Sequence, residues 1–474
     1  MTKRLLIAAA VIGILLRIIP VWARQPWYDE NFTVILARLP LPDLIAATAG
    51  DVHPPLWYLL CWPLAQLNLP AWAIVRLPAL LASLASLWIF WLILKETTLT
   101  PRVRAAAFVL FALLPAQIYY AQEGRQYSLL TLLVLLGWLC ILRRQWLGLF
   151  VSGLAMLYLH NYGMFYLAAL WVAGMAHDRR WWKPMTLSLA AAGLLFLPWL
   201  VLIFQQMAEI RGAYWMVHFT PASVLSDIAH SFWSMSTSLA ATILNFAVFW
   251  GLLGWSLIQA IRARTLNLPA VILAFVTPAL AVLVSLAWQP IMLYRALVPA
   301  GAFLVLLICA PLDWLCQSRW RLYLAGFFLL PALVTNLAST GLRYLWPDTS
   351  IEAPAIEYIA AHWQPGDLVY HNYDGLFVAA SAWDALPPGA EMIRLPECDP
   401  VRGGISPETR SHIGELEAPL PADAGRVWTF ALASPLSPPC EYEQLQALGL
   451  LDAPPVLCTH DDKLILSCLY LEEQ

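Results

Sequence analysis

Two short clusters, Tyr28-Asp29-Glu30 and Asp51-Val52-His53-Pro54-Pro55, stand in the one long polar gap between the apolar runs Leu5 to Trp22 and Ala71 to Leu94. Their carboxylates and imidazole suit proton transfer and cation binding. Acidic side chains beside an apolar medium cost desolvation energy unless they are paired, hydrated or metal-bound. The grouping therefore reads either as a reactive site or as a hydrated loop whose charges face water, and spacing alone does not separate the two.

A second group lies further on. Tyr119-Tyr120-Ala121-Gln122-Glu123-Gly124-Arg125-Gln126-Tyr127 crowds a carboxylate, a guanidinium and three phenols into a tight connection between two apolar runs. The arginine fork suits a phosphate, and at a membrane interface an anionic lipid phosphate is a natural ligand. A structural Glu123/Arg125 ion pair is the equal alternative. His160-Asn161-Tyr162-Gly163 and the stretch from Trp288 to Tyr294-Arg295 mark two further turns. Their aromatics match an interfacial belt, while Arg295 is a second candidate phosphate contact. The connection from Ala208 to Thr237, with Arg211, His218 and His230, reads as an interfacial amphipathic segment before it reads as a lid.

These residues must be positioned by membrane-spanning helices. Apolar residues make up 61% of the chain and charged residues 12%, about half the charged share of a soluble protein. About eleven apolar runs, beginning near Leu5, Ala71, Ala105, Gln126, Trp146, Tyr162, Met185, Ser238, Leu268, Leu297 and Arg321, are long enough to cross a bilayer. Alternate connections collect most of the basic residues, including Lys3, Arg4, Arg102, Arg104, Arg143, Arg144, Arg179 and Arg180. That bias puts the amino terminus in the cytoplasm and Asp29, Asp51 and Glu123 on the outer face of an inner, cytoplasmic membrane. The first run is expected to be retained as an anchor and not cleaved as a signal peptide. Arg17 within it reads as a snorkelling side chain.

The chain changes character near residue 341. The remainder holds twenty acidic and six basic side chains, and its apolar residues gather in short runs, Asp367 to Tyr370, Arg426 to Phe430 and Leu464 to Leu466. Those runs read as strands, and Ile351 to Trp363 and Glu441 to Leu448 as helices. The expected fold is thus an α-helical polytopic membrane protein of about eleven helices over 1–340, its first outer loop at 23–70, followed by a small extracytoplasmic α/β domain over 341–474. Cys61, Cys140, Cys309 and Cys316 read as apolar fillers. Cys398, Cys440, Cys458 and Cys468 predict two disulfides, with three possible connectivities and Cys458 bonded within the tail; zinc lacks supporting C-x-x-C spacing.

In order, the motifs match a known pattern. An acidic pair soon after the first span, the Asp-x-His-Pro-Pro-Leu-x-Tyr stretch at Asp51 to Tyr58 and the Gln-Glu-x-Arg-x-Tyr stretch at Gln122 to Tyr127 resemble the GT-C superfold of membrane glycosyltransferases. Within it, the chain is similar to bacterial protein O-mannosyltransferase-like and lipid A aminoarabinose transferase-like enzymes over about residues 1–340. The resemblance implies a polyprenyl-phosphate-linked sugar as donor and an outer-face acceptor: a glycolipid, a polysaccharide precursor or a protein. It implies transfer with inversion, with Asp29 as general base and Glu30 beside it. Arg125 and Tyr127 would hold the donor phosphate, with Arg295, Asp51, His53 and His160 as further substrate contacts. Glu30 and His53 would bind a divalent metal or position the acceptor, and the segments Asn31 to Ala49 and Pro54 to Asn68 would be interfacial helices. The chain lacks the carbohydrate-binding repeats of many eukaryotic relatives.

Rival readings are a polysaccharide polymerase or ligase and a lipid-linked sugar transporter or flippase. Transport calls for polar residues deep in broken helices of two related halves, and no internal repeat is present. Nucleic acid is not an expected partner.

Overall fold

In lipid every backbone polar group must be satisfied internally, so apolar runs of this length fold as helices. The computed structural model describes residues 3–312 apart from 20, 211–218 and 234–238, scattered positions over 318–338, and 352–473 apart from 388–389, 395–404, 419–425, 434–442, 444–445, 448–453 and 461–465. After α1 (Lys3–Ile18) come three short helices, α2 (Tyr28–Arg38), α3 (Leu41–Ala49) and α4 (Leu56–Ala65). The chain continues through α5 (Ala71–Glu96), α6 (Pro101–Ala112), α7 (Pro115–Ala121), α8 (Tyr127–Arg143), α9 (Trp146–Leu159) and α10 (Gly163–His177). Then follow α11 (Trp182–Ile210), α12 (Pro221–Trp233), α13 (Leu239–Arg262), α14 (Leu268–Ala287) and α15 (Val298–Cys309).

Among the described residues, four of these helices, α5, α11, α13 and α14, are long and apolar enough to cross a bilayer, and α6 with α7 form a fifth candidate, bent by 45°. The expected eleven therefore includes helices, among them α1, α8, α9 and α10, that are apolar but shorter than a full span. The run from Arg321 lies largely outside the described residues. Packing divides the chain into two units, the first of residues 1–23, 76–202 and 216–347 and the second of 24–75, 203–215 and 348–474.

Within the first unit, Arg17 departs from the expected snorkelling. It is completely buried. One Nη donates to the carbonyls of Gly13 and Ala112, both at 2.7 Å, and Nε donates to Ser83 Oγ at 3.0 Å. The reason lies in Pro115, which lacks an N–H and breaks the helix. Ala112 thus ends α6, and a guanidinium satisfies its exposed carbonyl while complementing the negative end of the helix dipole. Gly13 permits the approach, since a Cβ there would stand 2.7 Å from the Ala112 oxygen. Beyond the break, Gln117 donates to the Val298 carbonyl at 3.1 Å and ties α7 to α15.

The second unit joins residues 24–75 to the tail. The tail contributes helices α16 (Ala353–His362), α17 (Asp374–Trp383) and α18 (Pro407–Ile413). Its strands are β1 (Leu368–His371), β2 (Glu391–Arg394), β3 (Leu416–Glu417), β4 (Arg426–Ala433), β5 (Leu457–His460) and β6 (Leu466–Glu473). They form one sheet in the order β3-β2-β1-β4-β6-β5, parallel through β4 and antiparallel at β6 and β5. Cys458 and Cys468 face each other on β5 and β6 and are joined by a disulfide. Cys398, Cys440 and most of Glu441 to Leu448 lie outside the described residues. Cys61, Cys140 and Cys309 are buried in the helices, and Cys316 lies outside the described residues.

Two tail helices grip the loop. α17 packs on α2 and α18 on α3. Trp383 Nε1 donates to Asn31 Oδ1 at 2.9 Å, and Arg38 pairs both its terminal nitrogens with the Asp384 carboxylate at 3.1 and 2.9 Å. Thr409 Oγ1 donates to the Ala47 carbonyl at 2.9 Å.

At the carboxyl ends of β1 and β2 the sheet holds a buried charge cluster. Arg394 pairs with Asp374, and Arg410 reaches Asp374 at 3.6 Å and Glu415 at 3.4 Å. His371, completely buried, lies 3.7 Å from Glu415. Burial, with Arg394 and Arg410 nearby, pushes its imidazole down to about 3. The folded state therefore binds this proton less readily than the unfolded chain, where histidine titrates near 6.5. Its contribution to stability is fully present above about pH 6.5 and is lost as pH falls toward 3. Thermal melts of the wild type and of His371→Leu across that range should show a difference that depends on pH; parallel curves would exclude the linkage.

Candidate active site

In the second unit the acidic pair does not sit in a loop. α2 begins at Tyr28, so Asp29 and Glu30 occupy its first turn, where carboxylates complement the helix dipole. Glu30 is fully buried and its carboxylate accepts from the Trp27 backbone N–H at 3.1 Å, capping the helix. Asp29 is half-buried. The expected helix over 31–49 is interrupted at Leu39-Pro40, and proline accounts for the break.

Asp51 lies in the turn between α3 and α4, where the Tyr58 hydroxyl donates to it at 3.1 Å. His53 stands in the same turn. Tyr28 marks the convergence of these groups. Its phenol is pushed above its ordinary range by burial first, then by Tyr373, Asp29, Glu415 and Asp51 around it. The phenol stays protonated, with the three carboxylates opposing its ionisation. Tyr373 stacks on Tyr28 with ring centres 6.4 Å apart.

Tyr373 and Glu415 come from the tail, to which the sequence assigned no role. No local motif announces them; they arrive because β1 ends just before Tyr373 and α18 just before Glu415. The sheet reverses its strand order at β1, and the carboxyl ends at such a point are where open α/β sheets bind ligands. Among the described residues no three His, Cys, Asp or Glu side chains come close enough to hold a metal ion. Glu30 and His53 are two ligands of the types a divalent cation takes, and no step below uses one.

In the first unit a separate group forms where α7 meets α8. Glu123, Arg125, Tyr127 and His160 are each almost completely buried. Tyr127 opens α8, packs edge-on against Tyr120 at 5.2 Å and lies tilted against His160 at 5.9 Å. The Arg295 guanidinium lies over the Tyr127 ring at 5.8 Å from its centre, a cation–π contact. Arg295 is carried by the short 3-10 turn Tyr294–Leu297 ahead of α15.

His160 ends α9, and its Nδ1 accepts from the Tyr162 backbone N–H at 3.0 Å. Burial first, then Arg125 and Arg295, push its imidazole down to about 3. It is therefore neutral at physiological pH, with its ring proton on Nε2. Arg125, Arg295, Tyr127 and His160, four residues singled out from the sequence, are thus brought together. Two guanidiniums and one neutral imidazole N–H beside aromatic rings are groups of the type that recognise an anion, with Glu123 near Tyr120 and Tyr294 as a carboxylate in the same group.

No family model matches the sequence, and no curated protein sequence does. Solved structures do. ArnT from Cupriavidus metallidurans in the apo state is similar with a TM-score of 0.59 at 13% identity, over 98% of this chain and 97% of that one. The same enzyme bound to undecaprenyl phosphate is similar at 0.59 and 13%, over 99% and 98%. The Archaeoglobus fulgidus oligosaccharyltransferase in the apo form is similar at 0.52 and 13%, over 82% of this chain and 64% of that one. With likeness over nearly the whole chain but little identity in sequence, the chain has the fold of the GT-C membrane glycosyltransferases.

Proposed function

We propose that the chain is a membrane glycosyltransferase, moving a sugar from a polyprenyl-phosphate-linked donor to an acceptor hydroxyl on the outer face of the membrane, with inversion. The observation that carries this reading is the group formed by buried Arg125, neutral buried His160 and half-buried Arg295 beside Tyr127. The structural relative solved with undecaprenyl phosphate supports the lipid-linked donor.

The acceptor oxygen bonds to the anomeric carbon as the bond from that carbon to the phosphate oxygen breaks. The acceptor proton passes to Asp29, and the electron pair of the broken bond leaves on the polyprenyl phosphate, whose negative charge rises by one. Arg125 and Arg295 answer that rise, which makes them more valuable in the transition state than before it. Asp51 and Tyr28 shape the surroundings of the base. The cysteine pair Cys458–Cys468 supports an oxidising, extracytoplasmic location for the tail, and the basic-residue bias supports a cytoplasmic amino terminus. A glycolipid, a polysaccharide precursor and a protein all remain acceptors of the right chemistry.

The test is direct. Purified protein in lipid nanodiscs, given a panel of polyprenyl-phosphate sugars, should bind at least one and, with acceptor-rich membrane extract, release free polyprenyl phosphate detectable by mass spectrometry. Failure to bind any of them would overturn the reading.

A further inference from the structure

A cavity of about 950 Å³ lies wholly within the second unit, apart from the residues assigned above. Its size is near the upper end of the roughly 300–1,000 Å³ typical of small-molecule sites. Its walls are the end of α2, the connection from Ala65 to Trp72, and parts of α16 and α17.

The lining has a definite chemistry. Trp72 and Trp383 are half-buried indoles, and the bond from Trp383 to Asn31 fixes that ring in place. Gln66 and Asn68 present exposed amides. Among the described residues Arg38 is the one cation of the lining, and it is bound to Asp384 and to the Ser381 carbonyl. With Glu357 also present, the lining carries two carboxylates against that one guanidinium. A phosphate or pyrophosphate is disfavoured in such a cavity. Indole faces beside amides and carboxylates instead match the apolar ring face and neighbouring hydroxyls of a sugar.

We propose that this cavity binds a neutral oligosaccharide, the part of the acceptor remote from its reacting hydroxyl. The proposal rests on the glycosyltransferase reading. Arg38 is nine residues from Asp29 on one helix, about 14 Å at 1.5 Å per residue, so an acceptor reaching both is longer than one sugar. Binding energy collected there holds the acceptor while the base acts elsewhere on α2.

The experiment uses full-length protein in nanodiscs against immobilised bacterial cell-surface oligosaccharides, with a polyprenyl-phosphate sugar as a parallel probe. At least one neutral oligosaccharide should bind. Trp72→Ala and Gln66→Ala should each weaken that binding by about tenfold or more, with donor binding unchanged. Gln66 is exposed, so its variant reports even where Trp72→Ala does not fold. Donor binding without any oligosaccharide binding overturns the cavity proposal alone, as does oligosaccharide binding that both folded variants, or Gln66→Ala alone where Trp72→Ala does not fold, leave intact. Failure to bind the donor overturns the parent reading and this one with it.

Discussion

Asp29→Asn should lower sugar transfer by about 100-fold or more while leaving donor binding intact. The substitution removes one negative charge and almost no volume. The Asp29 backbone carbonyl, which accepts from Thr33 Oγ1 at 2.9 Å, is untouched, so α2 keeps its geometry. What disappears is the basic oxygen that takes the acceptor proton, together with one of the three carboxylates around Tyr28. The measurement is turnover of the purified variant at saturating donor, alongside donor affinity. Near-normal turnover would remove Asp29 from the role of base.

Arg125→Lys should weaken donor affinity by about 10- to 100-fold, the range of 1.5–3 kcal/mol for hydrogen bonds to a charged group. Lysine keeps the charge but loses the planar fork that meets two phosphate oxygens at once. Because Arg125 is almost completely buried, its replacement has no solvent route by which to compensate. Titration with a polyprenyl-phosphate sugar reads the effect. Unchanged affinity in a folded variant would favour a structural role for Arg125 beside Glu123.

Much of the fold's outline was legible because lipid imposes one rule on the backbone, and a run such as Leu268 to Ala287 has few ways to obey it. The residues Arg125, Tyr127, His160 and Arg295, which the structure brings near one another, stood out one by one for a similar reason: they sit at helix ends, where a charged side chain beside lipid is costly unless it is paired. The composition of the Tyr28 surroundings was not legible. Glu415 is 387 positions from Tyr28, and nothing in the periodicity of either segment records that a parallel sheet brings them together. Arg17 was misread for a related reason. Hydropathy sees a charge near the end of an apolar run and predicts escape to water, whereas its partner carbonyl is created by a proline 98 positions later.

That separation also bears on how the protein is made. Arg17 enters the membrane with the first helix, but the Ala112 carbonyl that receives it is synthesised 95 residues afterwards. At about 5–20 residues per second, α1 waits roughly 5–20 s with its guanidinium unmatched. During that interval the helix is a reluctant membrane segment, at a penalty of about 2.5–3.5 kcal/mol were the arginine central. α1 is therefore fully matched only when the broken helix has been made and its Ala112 carbonyl receives the guanidinium.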